Sequence, residues 1–307
     1  LQIAAVFVLL IAASLGAGLP NILRRKPEPS DAPTSVLGQL FFLLKHFGTG
    51  IILSTAFVHL LFHAFIFMSN ECIGTLVYEA ASPAIAMGAV WLVFVVDFFV
   101  LRALRQRAAA AAAASRPLSQ GSHDPESKLQ SDSESASSDV ASQDVPTAAQ
   151  AKLRKYDVLM LEAGIIFHSI IIGVTLGASN GEGWVPLFIA ITFHQLFEGL
   201  ALGARIALLP STTAGWLQKT IMCGAYAVTT PVGIAIGIGA RRSFNTNDRS
   251  TLLALGILDS ISAGILLYTA LVELIAGDFI NNKTMSGAPL GRAIAAVTAL
   301  TLGAAAM

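Results

Sequence analysis

Long apolar runs are the feature that most constrains how this chain can fold. Eight runs approach or exceed the about 20 residues that a helix needs to cross the hydrocarbon core of a bilayer. They lack the regular polar–apolar alternation that marks the strands of a membrane β-barrel. The runs are 1–19, 47–68, 84–104, 158–178, 184–209, 220–240, 252–275 and 288–307. We therefore predict an all-α polytopic membrane protein with eight transmembrane helices.

The composition agrees with a membrane protein and excludes an ordinary soluble enzyme. Only 12% of the 307 residues are charged and 54% are hydrophobic, whereas a soluble domain carries about 25% charge. Lysine plus arginine and aspartate plus glutamate both total 19, so the net charge predicts no nucleic-acid partner. The two cysteines form no CxxC motif. Because the first residue is Leu1 rather than Met, we expect a fragment of a longer protein.

One long polar connection divides the chain, from residue 105 to residue 155. It begins with seven alanines at 108–114, and ten serines follow between Ser115 and Ser142. A segment of this composition buries too little apolar area to order itself, so we expect disorder. The alanine run can extend the third helix beyond the membrane. The chain is thus divided into helices one to three (1–104), a loop (105–155) and helices four to eight (156–307) of one domain.

The distribution of basic residues predicts the orientation in the membrane. Odd-numbered loops hold 15 lysines and arginines, and even-numbered loops hold three, namely Arg241, Arg242 and Arg249. Cytosolic loops are enriched in lysine and arginine. We therefore expect the odd loops, including the 105–155 loop, in the cytosol and both termini outside the cell.

Spans four and five carry a repeated motif, HxxxxGxxLGA, which begins at His168 and again at His194. The short outer turn 179–183 joins the two spans, so they run antiparallel. Each histidine lies 11 residues from that turn, a depth of about 16 Å in a core roughly 30 Å thick. We therefore predict that the two imidazoles meet near the middle of the membrane.

A carboxylate completes the candidate metal site. Glu198 follows His194 by four residues and shares its helix face, while Ser169 and Gln195 lie beside the two histidines. Imidazole and carboxylate ligands suit zinc or ferrous iron and suit calcium or magnesium poorly. The alternatives are a proton relay, or a buried His194–Glu198 hydrogen bond with His168 as an unrelated core residue.

Other polar residues inside the spans have less specific interpretations. His59 is a candidate for an entrance or transfer site on the ion pathway, or for an ordinary interhelical hydrogen bond. Glu162 can pass an ion inward or can be solvated at its helix start. Asp259 is expected to pair across helices. Asp97 and Glu273 lie toward the inner ends of their spans, where they are expected to reach water.

Five motifs carry a resemblance to a known family. They are FVHLL (57–61), HSIIIGVTLG (168–177), HQLFEGLALG (194–203), TTPVGIAIG (229–237) and SISAGILLYTALVEL (260–274). With these motifs the sequence resembles the fungal and plant branch of the ZIP (Zrt-, Irt-like) metal transporters. The resemblance implies a ZIP-type bundle of eight helices with extracellular termini and a variable cytosolic loop. It also implies a main metal site at His168, His194 and Glu198, with Ser169 and Gln195 as flanking polar residues.

The resemblance further implies transport of Zn²⁺, with Fe²⁺ as the alternative, toward the cytosol by alternating access. Helices one, four, five and six are expected to move as a unit against helices two, three, seven and eight. Ile172 and Thr230 stand where some members carry further carboxylates, so a single ion is expected. No resident cofactor is implied. The expected location is the plasma membrane, within the lipid bilayer, and a homodimer is allowed for.

Two other classes of function stay open. An intramembrane zinc metalloenzyme would use the same ligands to activate water, although the sequence contains no HExxH motif. A proton-coupled solute carrier would use Glu198 as a relay. Because metal binding needs neutral imidazoles, metal uptake is expected to weaken when His168 and His194 become protonated in acid.

Overall fold

A computed structural model of the chain describes residues 2–24, 35–114, 147–179, 183–240 and 248–307. Over these ranges the chain forms eight long helices and no strand, which confirms the predicted all-α class. We number them α1 Gln2–Leu23, α2 Val36–Met68, α3 Ala81–Ala114, α4 Thr147–Ala178, α5 Trp184–Leu208, α6 Trp216–Ala240, α7 Arg249–Ile280 and α8 Leu290–Ala305.

Helices α1 to α7 are long and apolar enough to cross a membrane. Helix α8 is apolar but has only 16 residues, which corresponds to a length of about 24 Å. Every predicted span therefore has a helical counterpart within the described part of the chain.

Helix α2 begins at Val36, whereas the sequence predicted its span from residue 47. Ser35 caps its start, because the side-chain oxygen accepts a hydrogen bond from the Gly38 backbone N–H at 3.0 Å. The prediction was too short because Lys45 and His46 interrupt the apolar run. Both side chains are buried inside the protein, so polar residues at these positions do not end the helix.

Helices α3 and α4 extend into the segment predicted to be a disordered loop. Helix α3 continues through the alanine run to Ala114, and α4 already begins at Thr147. Alanine has the highest intrinsic helix propensity, which favours this extension. The extension of α3 over the alanine run is the one that the sequence allowed, while α4 begins inside the segment that was expected to be a loop. Residues 115–146 lie outside the described part of the chain, so the expectation of disorder there stays a prediction.

Glycines define two groups of tightly packed helices. A Cβ atom at Gly199 of α5 would lie 2.9 Å from the Ala17 backbone nitrogen of α1, and one at Gly173 of α4 would lie 2.9 Å from the Cα of Gly233 of α6. Such spacing permits close backbone approach. Helix α1 also packs on α6. We call α1, α4, α5 and α6 the site group.

The remaining four helices pack on one another in the same manner. A Cβ atom at Gly50 of α2 would overlap the backbone of α8, and one at Gly264 of α7 would overlap the backbone of α3. Helices α2 and α7 also pack together. We call α2, α3, α7 and α8 the flank group. These are the two sets that the resemblance implies, while relative motion between them stays a prediction.

The end of α4 and the start of α5 are in contact, because the Trp184 indole N–H donates to the Leu176 carbonyl at 3.0 Å. Their glycine faces nevertheless pack on different partners, α6 and α1 respectively. The repeated motif therefore does not join α4 to α5 through its glycines. Between the two groups, α2 approaches α5 closely at Gly48, where a Cβ atom would lie 2.7 Å from the Ala201 Cα.

Candidate metal centre

Three histidines from three helices meet between the two groups. His59 of α2, His168 of α4 and His194 of α5 each offer one ring nitrogen, and these nitrogens lie within 4.8 Å of one another. The ring centroids of His168 and His194 are 5.5 Å apart, so the two imidazoles meet as the repeated motif predicted. The His59 ring lies 5.1 Å from His168 and 4.8 Å from His194. We call these residues the imidazole triad.

The local structure of α2 accounts for the position of His59. Residues Thr55–Leu61 form a π-helical segment inside α2. A π-helical turn holds more residues than an α-helical turn and therefore changes which side chains share a face, and such segments occur frequently at functional sites. His59 lies within this segment and contacts both partners of the triad.

Two buried carboxylates lie beside the triad. The Glu198 Oε2 atom is 3.5 Å from His194 Nε2, and the Asp259 Oδ1 atom of α7 is 3.9 Å from His168 Nδ1. The Glu198 and Asp259 side chains are 1% and 3% exposed. The pairing of Asp259 across helices is the contact that the sequence suggested.

Many polar atoms of the cluster have no hydrogen-bond partner within the described ranges. They include both ring nitrogens of His168, the Nε2 atoms of His59 and His194, both carboxylate oxygens of Glu198 and the Oδ1 atom of Asp259. Buried polar groups are normally hydrogen-bonded, because leaving them unpaired is costly. Their convergence fits a cation as the missing partner.

The distances in the cluster also fit a metal ion. Zinc binds imidazole nitrogen and carboxylate oxygen at about 2.0–2.2 Å, so two ligand atoms of a tetrahedral site lie about 3.4 Å apart. The 3.5 Å separation of Glu198 and His194 is close to that value. Small side-chain movements would bring the imidazole nitrogens to the same spacing.

Three further residues predicted for the site or the pathway are buried but do not belong to the imidazole triad. Ser169 and Gln195 are fully buried, and their side chains have no hydrogen-bond partner among the described residues, so a flanking role for them stays a prediction. Glu162 is 5% exposed and lies about 9 Å along α4 from His168. It is outside the imidazole triad, and its pathway role also stays a prediction.

From the sequence, His59 was a candidate for an entrance or transfer site or for an ordinary interhelical hydrogen bond, and the structure brings it together with His168 and His194 in the imidazole triad. His63 follows one turn later on the same helix, and its ring centroid is 4.5 Å from that of His59. The signal in the sequence was this pair of histidines on one face of an apolar helix. The sequence could not indicate which neighbouring helices that face would contact.

A second cluster of acidic side chains is formed by three helices. Asp97 of α3, Asp157 of α4 and Glu273 of α7 bring one carboxylate oxygen each to within 4.8 Å of one another. The Tyr268 hydroxyl donates to the Asp97 Oδ2 atom at 2.7 Å. The sequence led us to expect that Asp97 and Glu273 reach water. The structure brings these two carboxylates together with that of Asp157.

A buried ion network joins α2, α5 and α7. The two carboxylate oxygens of Asp278 contact different cations, Lys45 Nζ at 3.1 Å and Arg205 Nη1 at 2.7 Å. Arg205 also donates through Nη2 to the Thr49 hydroxyl at 2.5 Å. We call this set the Asp278 network. It links the site group to the flank group through polar contacts.

Apolar helices around a buried cluster of imidazoles and carboxylates indicate an integral membrane protein with a candidate site for a transition metal in its interior. The family model described as ZIP Zinc transporter matches residues 1–307. The chain therefore belongs to the ZIP zinc transporter family, which confirms the resemblance seen in the sequence motifs. This family consists of transporters rather than enzymes, so the match gives no support to an intramembrane metalloenzyme.

Named relatives occur in fungi and plants. The chain is 37% identical over 304 residues to zinc-regulated transporter 1 of Candida albicans, an alignment that covers 99% of this chain and 58% of that protein. It is 37% identical over 308 residues to zinc transporter 3 of Arabidopsis thaliana, covering 100% and 82%. It is 34% identical over 310 residues to zinc-regulated transporter 1 of Saccharomyces cerevisiae, covering 92% and 79%. The chain thus spans less than two thirds of the Candida protein.

Proposed function

We propose that this chain carries Zn²⁺ across a membrane and that the imidazole triad, with Glu198, binds the ion on its way. One observation carries the proposal: three imidazole nitrogens lie within 4.8 Å of one another, beside a carboxylate that is 1% exposed. Family membership and relatives named as zinc transporters support the same function.

Each ligand has a distinct place in the two helix groups. His168, His194 and Glu198 bind from the site group, and His59 binds from the flank group. Nitrogen-rich ligation excludes Ca²⁺ and Mg²⁺, which prefer oxygen. In the usual order of affinities for divalent metals, Zn²⁺ binds more tightly than Fe²⁺. We therefore propose Zn²⁺ as the cargo and Fe²⁺ as the competitor to be tested.

The direction of transport follows from the orientation and from the membrane potential. The basic loops support a cytosolic location for the 105–155 loop and extracellular termini. In the plasma membrane, an inside-negative potential of 100 mV contributes about 2.3 kcal/mol per elementary charge. A divalent cation that moves inward therefore gains about 4.6 kcal/mol from the same potential. This favours uptake toward the cytosol.

Alternating access would use the boundary between the two helix groups. The ligands lie on both sides of that boundary, and relative movement of the groups would open the cluster to one membrane face at a time. Ser169 and Gln195 would line the bound state, and Glu162 would lie further along the inward path. The proposed ligands all come from one chain, so ion binding at this site needs no second copy. A homodimer stays a prediction.

The test is uptake of radiolabelled Zn²⁺ into proteoliposomes that contain the purified protein. We expect the His194→Ala, Glu198→Ala double variant to lose uptake. A Glu71→Gln variant, which changes an exposed carboxylate in the α2–α3 connection, should keep it. Unchanged uptake in the double variant would refute the site. A parallel measurement with Fe²⁺ under reducing conditions compares uptake of the two metals. Solute or proton flux that persists when a chelator removes the metal would favour a proton-coupled solute carrier.

A further inference from the structure

We propose that Asp259 is an additional carboxylate ligand of the transported ion, so that α7 supplies part of the coordination sphere. The inference rests on the proposed function and deepens it. Asp259 lies on the flank group, opposite His168 of the site group. With His59 it would give the ion two ligands from the flank group, in addition to the three from the site group.

The contact between Asp259 and His168 has the geometry of two ligands rather than of a hydrogen bond. The Asp259 Oδ1 to His168 Nδ1 distance is 3.9 Å, which is beyond the about 3.2 Å limit of an ordinary hydrogen bond. Neither atom has another hydrogen-bond partner among the described residues. A shortening of about 0.5 Å would give about 3.4 Å, a spacing that two ligand atoms of one zinc ion can adopt.

Two histidines are charge partners of Asp259 in the described part of the chain: His168 and, at longer range, His63 of α2. His168 is its only neighbour there within 4.0 Å that can form an ion pair. The adjacent Ser260 hydroxyl is engaged elsewhere, with the Gly256 carbonyl at 2.7 Å and the Ser82 hydroxyl at 3.0 Å. A carboxylate that is 3% exposed needs compensation in an apolar interior. A bound cation supplies it.

The charge balance gives a second, independent argument. A divalent ion bound by neutral imidazoles and by Glu198 alone keeps a net charge of +1. Adding the Asp259 carboxylate makes the complex neutral. A neutral complex is favoured in a low-dielectric interior, because an uncompensated charge there is poorly solvated. Asp259 therefore supplies the negative charge that the other ligands lack.

A divided coordination sphere has a direct consequence for release. When the two helix groups shift, the ion must lose the ligands of one group, His59 and Asp259, or the ligands of the other. Affinity for the ion is therefore coupled to the relative position of the groups. Tight binding belongs to the arrangement described here, and weaker binding belongs to a displaced arrangement.

The decisive experiment replaces the carboxylate with a thiolate in the full chain, purified in detergent. In an Asp259→Cys variant loaded with Zn²⁺, X-ray absorption spectroscopy should detect a zinc–sulfur distance of about 2.3 Å. The matched control is Ser260→Cys, which places a thiol one residue away on the face toward Ser82 of α3. This control and the unmodified chain should show nitrogen and oxygen ligands only.

A second variant keeps the inference testable where the thiol variant does not fold. Asp259→Asn preserves the shape of the side chain and should weaken Zn²⁺ binding at least tenfold by equilibrium titration. Unchanged affinity in Asp259→Asn would overturn the inference. A folded Asp259→Cys variant that binds Zn²⁺ without a zinc–sulfur distance would also overturn it, and would assign Asp259 a positioning role.

Failure of this inference is distinguishable from failure of the proposed function. If Asp259 variants bind normally while the His194→Ala, Glu198→Ala variant does not, the ligand role of Asp259 is refuted and the site stands. If the Asp259 variants and the His194→Ala, Glu198→Ala variant all bind and transport Zn²⁺ normally, the proposed site itself is refuted.

Discussion

Substitution of Asp278 by asparagine tests the Asp278 network without any assumption about transport. The change keeps the shape of the side chain but removes its negative charge. Lys45 and Arg205 then lose the carboxylate that both contact, while their side chains are only 2% and 8% exposed. The substitution should therefore destabilise the folded bundle.

The magnitude follows from the burial of the two cations. Removing one partner of a buried ion pair typically costs about 3–5 kcal/mol. Asp278 itself is 16% exposed, and an asparagine oxygen can still accept a hydrogen bond from Arg205, so we expect the lower end, about 3 kcal/mol. Because 1.4 kcal/mol corresponds to a factor of ten, the ratio of folded to unfolded protein should fall roughly 100-fold.

Equilibrium unfolding in mixed detergent micelles, followed by tryptophan fluorescence, measures this loss. The matched control is Glu79→Gln, which removes the charge of an exposed carboxylate and should change the free energy of unfolding by less than about 0.5 kcal/mol. Adding Lys45→Met to Asp278→Asn should recover part of the loss, because one of the two buried cations that contact Asp278 is removed. A loss below about 1 kcal/mol for Asp278→Asn would refute the reasoning.

Three further outcomes are expected. Gly199→Ala should destabilise the bundle by about 1–3 kcal/mol, because its Cβ would lie 2.9 Å from the Ala17 backbone nitrogen. In the same unfolding assay Gly224→Ala, where nothing lies within 4 Å of the added atom, should be neutral or stabilising, and equal losses would contradict the packing argument. Saturation with Zn²⁺ at 100 times its Kd should raise the free energy of unfolding by about 2.7 kcal/mol, and the His194→Ala, Glu198→Ala variant should show no such increase. Titration calorimetry should show Zn²⁺ binding that weakens as the pH falls from about 8 to about 5, because protons compete for the imidazole nitrogens and for the Glu198 carboxylate, and affinity independent of pH would argue against ligands that take up protons in this range.

The sequence predicted the features that depend on distance along one helix. Apolar run length located the spans, and equal spacing from a shared turn predicted that His168 and His194 meet. These inferences succeeded because the rise of a helix is fixed at about 1.5 Å per residue. They need no knowledge of which helices become neighbours.

Features that depend on packing between distant helices were harder to predict. Lys45 made the start of α2 look polar, because its partner Asp278 lies more than 200 residues away. The repeated motif places glycines in both α4 and α5, but the sequence could not indicate that these glycines pack on α6 and α1. The place of His59 in the imidazole triad likewise depends on which side of α2 meets α4 and α5.

The close approach of Gly48 to Ala201 has a geometric consequence for the cluster. This contact joins the two groups near the Asp278 network, and His59 lies 11 residues further along α2, a distance of about 16 Å. If the groups pivot about this contact, an angle of about 5° displaces a ring about 16 Å away by about 1.4 Å. That displacement exceeds the tolerance of a bond between a metal and a nitrogen atom. Small angular changes at one end of the bundle are therefore sufficient to make or break coordination at its centre.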